Sequence, residues 1–189
     1  MVAEEAARHP DTPGGGWTTD EHRIGLKPIV RAIWAPIGER PIAIGHQRAE
    51  WLYLTAFVQP RKGEVVWYLS NGLDKPFFEA LLRSFAKTVG AGDKRIVILV
   101  LDNAGWHGPL RLTVPEGLRL VYLPPYSPEL QPAECLWPLV DEPIVNRHFD
   151  TLDQLDAVVA KRCTDLIPDT DAIRNRTTFH WWPQNIAPN

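Results

Sequence analysis

The sequence is short of most features that sort a chain into a specialised class. It holds only two cysteines, Cys135 and Cys163, and they form no CxxC pattern. That excludes a disulfide framework and a thiolate zinc site. No apolar run approaches the roughly 20 residues of a membrane span, and no secretory signal precedes the first structured stretch. Together these absences point to a reducing cytoplasm. A basic excess is missing as well. The formal net charge is -3, whereas a free-standing nucleic-acid binder is usually basic. There are no internal repeats.

What remains is ordinary globular composition, 44% apolar and 23% charged, in a chain whose 189 residues suit one domain with a real core. The 18 prolines are about twice the usual share and imply long ordered loops. Charge is unevenly spread. From Asp20 to Lys62 there are seven Lys or Arg against four Asp or Glu, and from Asp141 to Asp171 three against eight. A basic first third of this kind suits a face that meets phosphate, and it equally fits ordinary surface charge.

The chain is organised around Arg95–His107, RIVILVLDNAGWH. Ile96–Leu101 is apolar, mostly β-branched and too short for a helix, so it reads as a strand buried on both faces. It stops at Asp102-Asn103. In open α/β sheets, ligand and catalytic groups gather at the carboxyl ends of strands, and an Asp there is held by a fixed backbone. Taken alone, Asp102 fits the start of a turn just as well.

In chain order, Met1–Gly16 has little apolar periodicity and reads as a mobile leader. Order begins at Trp17, with a strand that carries Asp20. Arg31–Gly38 reads as a short strand and turn. Ile42–Val58 and Glu64–Leu69 flank Pro60–Gly63 as a hairpin, giving three antiparallel strands. Leu73–Val89 changes to helical period, with Asp74 as cap, Pro76 in the first turn, and Phe77, Phe78, Leu81, Leu82 and Phe85 recurring. The strand at Ile96 then follows by a crossover and lies parallel to an earlier one. Leu118–Leu123 is a second parallel strand. Four prolines (Pro124, Pro125, Pro128, Pro132) forbid regular structure before a helix that starts near Gln131-Pro132 and carries Glu134. Leu152–Leu166 is the last amphipathic helix, and the aromatic tail Phe179–Pro183 packs back on the domain.

Asp20, Asp102 and Glu134 can be brought to one sheet edge by this arrangement. Three carboxylates there repel unless cations hold them; all-oxygen ligation selects Mg²⁺ or Mn²⁺, and two such ions serve phosphodiester displacement. Each residue has a plainer role open to it. Asp20 is one of two adjacent acids, Glu134 can cap its helix, and His107 can be a satisfied core imidazole.

The blocks TTDEHRIGLKP, WAPIGERP, ILVLDNAGWH and LPPYSPELQPAECLWP lie in an order that resembles the catalytic domain of mariner-superfamily bacterial insertion-sequence transposases, the IS-six-thirty group. The resemblance runs from Trp17 to Pro183. It implies an α/β, ribonuclease-H-like fold: a mixed five-stranded sheet flanked by helices, with 184–189 as a tail. It implies a DDE triad of Asp20, Asp102 and Glu134 that ligates two Mg²⁺ (or Mn²⁺), cleaves DNA at transposon ends and transfers the strand. Gln131 stands where relatives carry a capping Asn, a poorer cap, and Cys135 stands where His is common. The Asp102–Glu134 interval is slightly short for the family. Arg23, Lys27, Arg31 and Lys62 are candidate DNA phosphate contacts, while Trp106 and His107 shape the site.

Nothing in Met1–Gly16 resembles the helix-turn-helix units that usually precede this domain. A split second reading frame and a truncated remnant both fit. DNA, a helix-turn-helix partner or N-terminal half supplied separately, and further copies of the chain on DNA are the expected partners. The alternatives are an inactive remnant acting only as a DNA- or partner-binding module, and a nuclease of the same fold without strand transfer.

Overall fold

The computed structural model describes residues 15–39, 49–104 and 112–182, with the isolated positions 4, 7, 8 and 42. A five-stranded sheet crosses the middle of it, in the order β3-β2-β1-β4-β5. Its strands are β1 (Gly16–Gly25), β2 (Trp51–Gln59), β3 (Glu64–Ser70), β4 (Val97–Leu101) and β5 (Leu118–Tyr122). β1 pairs antiparallel with β2, and β2 with β3. β4 runs parallel to β1, and β5 parallel to β4. This is the mixed ribonuclease-H-like sheet that the sequence implies, with β1 and β4 side by side at its centre.

All five residues of β4 are buried, because both faces of the sheet are covered. On one face lies helix α1 (Lys75–Val89), whose Phe78, Leu81, Leu82 and Phe85 pack on Trp17, Phe57, Val97, Leu99 and Leu101. Its ends obey local chemistry. Asp74 accepts from the Phe77 amide at 2.9 Å, and Gly90 turns the chain with φ 68°, a left-handed conformation open to glycine. Phe77, expected on the apolar stripe, is instead 37% exposed, since it falls in the first turn at the edge of the buried face.

The other face carries three clusters. Helix α3 (Leu152–Leu166, after the short α2, Trp137–Asp141) buries Leu155, Val159, Cys163 and Leu166 against Ile24, Leu52 and Leu54. Ala133, Leu136 and Ile173 cover Ala56 and Val58. Trp182 seals Ile98, Val100, Val121 and Leu123, so the aromatic tail does fold back; Pro183 lies outside the described residues.

Several expectations need correction. Arg31–Gly38 is not a strand. Ile33, Trp34 and Ile37 are 58%, 102% and 107% exposed, so no sheet edge collects them. The segment is strapped down instead: the Asn146 side chain exchanges hydrogen bonds with the Arg31 backbone at 2.9 and 3.0 Å. The first hairpin strand begins at Trp51 rather than Ile42, and 43–48 lie outside the described residues. The helix expected from Gln131-Pro132 begins as two 3₁₀ turns, Pro128–Leu130 and Pro132–Leu136, and becomes α-helical only at Trp137. Pro128 and Pro132 supply no amide hydrogen to an α-helical ladder. Leu152–Leu166 is not the last helix, because α4 (Thr170–Thr177) follows it.

Candidate active site

β1 alternates its side chains across the sheet. That puts Asp20 and His22 on the face that carries α2, and Arg23 on the other. The Trp137 indole Nε1 donates to Asp20 Oδ2 at 2.9 Å, and its ring stacks on His22 with centroids 5.0 Å apart. His22 Nε2 in turn meets Asp141 Oδ1 at 2.9 Å. Burial pushes the Asp20 carboxyl up to about 7; the negative charge of Glu21, and to a smaller degree that of Glu134, add to the shift, and the Trp137 hydrogen bond opposes it.

Asp102 follows the last residue of β4. Its Oδ1 accepts from the Ala104 amide at 3.0 Å, a tight local turn. The neighbouring Asn103 Nδ2 donates to the Leu123 carbonyl at 2.6 Å, tying the carboxyl ends of β4 and β5 together. Between these two ends opens a cleft of ≈ 380 Å³. Asp102 and Asn103 form one wall, the proline-rich loop from Pro124 to Pro128 another, and Gln131 and Glu134 a third. Glu134, at the middle of its 3₁₀ turn, has its carboxyl raised by partial burial and next by the negative charge of Asp102.

The turn that carries Glu134 is anchored by a residue read as a mere cap. Gln131 is 2% exposed and makes no capping hydrogen bond. Its Nε2 donates to the Thr19 carbonyl at 2.9 Å, while its Oε1 accepts from the Thr18 hydroxyl. One side chain thus joins the Glu134 turn to the two residues before Asp20. The LQPAE block could have hinted at this, since a capping amide exposed at a helix start has no cause to be glutamine. Trp137 lies in the same block, but nothing local to it marks a partner for Asp20.

The three predicted acids therefore do not share one wall. Asp102 and Glu134 line the cleft; Asp20 stands beside it, coupled to Glu134 by charge and held by Trp137. Among the described residues no three His, Cys, Asp or Glu side chains are drawn close enough to hold an ion between them. The donor set nevertheless suits a hard divalent cation. It is all carboxylate oxygen, neither Asp20 nor Glu134 has a Lys or Arg partner among the described residues, and both carboxyls are raised in part by neighbouring negative charge, which a cation relieves.

The proposed phosphate contacts are dispersed. Arg23 lies over the Trp51 ring, 4.8 Å from its centroid. Arg31 pairs with Glu142 at 2.8 Å, and Lys62 with Glu64 at 3.6 Å. Lys27 is exposed just beyond β1. Trp106 and His107 lie outside the described residues.

Comparison with known proteins bears on the family and the fold. The family model described as DDE superfamily endonuclease matches residues 17–156. A curated relative, the uncharacterized protein y4pE/y4sA of Sinorhizobium fredii (strain NBRC 101917 / NGR234), is 35% identical over 106 residues, 56% of this chain and 77% of that protein. Among solved structures, the Mos1 strand transfer complex superposes with a TM-score of 0.54 and 16% identity, over 94% of this chain and 60% of that one. The Mos1 mariner paired end complex with Mn gives 0.53 and 14%, over 94% and 61%. The chain thus spans about three-fifths of the Mos1 chains it matches, and at these identities the likeness is one of fold. No described helix is long and apolar enough to cross a membrane.

Proposed function

The chain belongs to the DDE superfamily endonucleases, and from that premise we propose that residues 17–183 are the catalytic domain of a DNA transposase. It would cleave DNA at transposon ends in a metal-dependent reaction and transfer the freed 3′-hydroxyl to a target strand, in the cytoplasm. The observation that carries the reading is the placement of Asp102 and Glu134 on one cleft at the carboxyl end of β4, with Asp20 within reach of the Glu134 charge.

Asp20, Asp102 and Glu134 would hold two Mg²⁺ or Mn²⁺ ions. Such ions supply Lewis-acid stabilisation of the leaving oxygen and a water or hydroxyl made nucleophilic at neutral pH. The chain's own residues prepare the place. Trp137 fixes one oxygen of Asp20, the Ala104 amide fixes one of Asp102, and Gln131 holds the Glu134 turn against β1. Specific recognition of the ends would come from a helix-turn-helix partner or N-terminal half, and pairing of ends from a second copy on DNA.

The test is Mg²⁺- or Mn²⁺-dependent nicking of labelled duplexes carrying the ends of the encoding element, compared with Asp102→Asn. Metal-dependent nicking lost in the variant supports the reading, and joined products distinguish a transposase from a simple nuclease. Equal nicking by both proteins would remove Asp102 from the mechanism. No nicking by either, with the helix-turn-helix half added back, would favour the inactive remnant.

A further inference from the structure

Helix α4, which has no counterpart in the sequence reading, carries arginine on both shoulders. Ile173 and Thr177 form its buried stripe. Arg174 and Thr178 each lie one residue further round, on one shoulder, and Arg176 lies on the opposite one. The first shoulder forms an open cleft of ≈ 420 Å³ with the tip of the β2–β3 hairpin, lined by Arg61, Arg174, Asn175 and Thr178. The second shoulder faces the catalytic side. Ile173 of the same helix packs with Ala133 and Leu136, which flank Glu134 and Cys135 in that turn.

The cleft is preformed. Thr178 Oγ1 donates to the Pro60 carbonyl at 2.8 Å, and Gly63 at the hairpin tip packs so closely that a Cβ there would lie 1.9 Å from the Thr170 carbonyl oxygen. Hairpin and helix therefore present their cations on one rigid surface. The hairpin tip and the start of the helix themselves carry the acids Glu64, Asp169 and Asp171. Glu64 pairs with Lys62 at 3.6 Å, Asp171 with Arg174 at 2.5 Å, and Asp169 caps the helix through the Ala172 amide at 3.2 Å. Arg176, exposed on its shoulder, forms no ion pair or hydrogen bond among the described residues.

We propose that α4 is a phosphate-binding ridge: Arg61 and Arg174 on one shoulder and Arg176 on the other grip the sugar-phosphate backbone of a nucleic acid that crosses the helix toward the Asp102–Glu134 cleft. The inference rests on the DNA-cleaving function proposed above. Guanidinium forks suit phosphate oxygens, and a helix about 10 Å across separates its shoulders by a distance that a strand covers within two or three of its phosphates. A polynucleotide fits better than a free anion because the cations are divided between two sides of a ridge and do not converge on one point. Contacts of this kind position the substrate and carry no sequence information.

Fluorescence anisotropy of a labelled 30-base-pair duplex of arbitrary sequence, titrated with the full chain at several KCl concentrations, tests the ridge. Arg61→Gln, Arg174→Gln and Arg176→Gln should each weaken binding about 3- to 10-fold and lower the slope of log K against log salt by about 1. Arg83→Gln and Lys87→Gln, exposed on α1 across the sheet, should do neither. Thermal melts of every variant identify any loss that comes from unfolding. A triple charge reversal at 61, 174 and 176 that melts normally and binds the duplex like wild type would overturn the ridge alone, while nicking lost in Asp102→Asn still upheld the function. A wild-type chain with no affinity for the duplex even at low salt would overturn the ridge, and the function falls with it only if nicking also fails with the helix-turn-helix half added back.

Discussion

Gln131 and Thr19 are joined by a buried hydrogen bond of 2.9 Å from side-chain Nε2 to backbone carbonyl, across 112 residues of sequence. It fixes the Glu134 turn relative to β1 at the point where Asp20 leaves the buried part of the strand. Gln131→Leu keeps the bulk but leaves the Thr19 carbonyl and the Thr18 hydroxyl without partners, at a cost of about 1–3 kcal/mol. Gln131→Asn is one methylene too short to serve both. The expected outcome is a lowered denaturation midpoint in both variants and, beyond it, Mn²⁺ affinity reduced about 10-fold or more, measured by calorimetry well below the melting range. Unchanged Mn²⁺ affinity in destabilised variants would make Gln131 a packing residue only.

Asp20 sets a pH dependence of the metal-free fold. Its carboxyl rises from 3.8 to about 7 on folding, chiefly through burial. A carboxyl raised in the folded state binds its proton more tightly there, so ionisation works against folding. The penalty is absent below about pH 4, grows as pH rises toward 7 and is constant above that. Asp20→Asn removes the charge and keeps an oxygen for the Trp137 indole. In urea melts without divalent ions, the variant should be more stable than wild type at pH 8 by on the order of 2–4 kcal/mol, and equal to it near pH 4. The same variant should show no stabilisation by added Mn²⁺. A wild-type protein that is the more stable at pH 8 would refute the burial argument.

How far the sequence could be read follows from which signals are local. β4 was legible because an unbroken apolar run, mostly β-branched, has few alternatives, and α1 because Asp74, Pro76 and Gly90 mark its ends by chemistry that needs no neighbours. Asp102 was legible as the residue that ends a buried strand. The segment Arg31–Gly38 misled because Ile33, Trp34 and Ile37 mimic a strand's composition, while only the sheet decides whether an edge exists to receive them. α4 went unseen since just Ile173 and Thr177 of its eight residues are buried, too few to register as a period. Gln131 and Trp137 act over more than a hundred residues of separation, where spacing carries no information. For the same reason the sequence placed three acids at one edge and could not foresee that Asp20 stands outside the cleft lined by the other two.

Gly63 is the hinge on which α4 docks. Its φ of 70° is left-handed, and an added Cβ would meet the backbone of Thr170, not a yielding side chain. Gly63→Ala therefore combines backbone strain of about 1 kcal/mol or more with displacement of the α4 N-terminus. A loss of at least 2 kcal/mol is expected. Hydrogen exchange should report it as faster exchange at Ile173 and Thr177, with the amides of β4 unchanged. A variant as stable as wild type, with α4 still protected, would mean the hairpin tip moves freely of the helix.

Trp137→Phe separates packing from charge at the site. Phenylalanine retains a ring against His22 and the apolar contacts around Leu136 and Val140, and loses only the Nε1 donor to Asp20. That hydrogen bond lowers the Asp20 carboxyl against the larger effect of burial, so it favours the ionised form and its contribution is greatest above pH 7. As pH falls through about 7 and Asp20 takes up a proton, the contribution shrinks. The cost of the substitution in metal-free protein should accordingly be larger at pH 8 than at pH 5, by about 1–2 kcal/mol given the usual worth of a bond to a charged acceptor. In the Asp20→Asn background, where residue 20 no longer titrates, that part of the pH dependence should disappear. The double-mutant cycle at two pH values thus isolates the indole–carboxylate interaction from everything else Trp137 touches. A cost independent of pH in both backgrounds would reduce Trp137 to a core residue and leave the orientation of Asp20 without a cause.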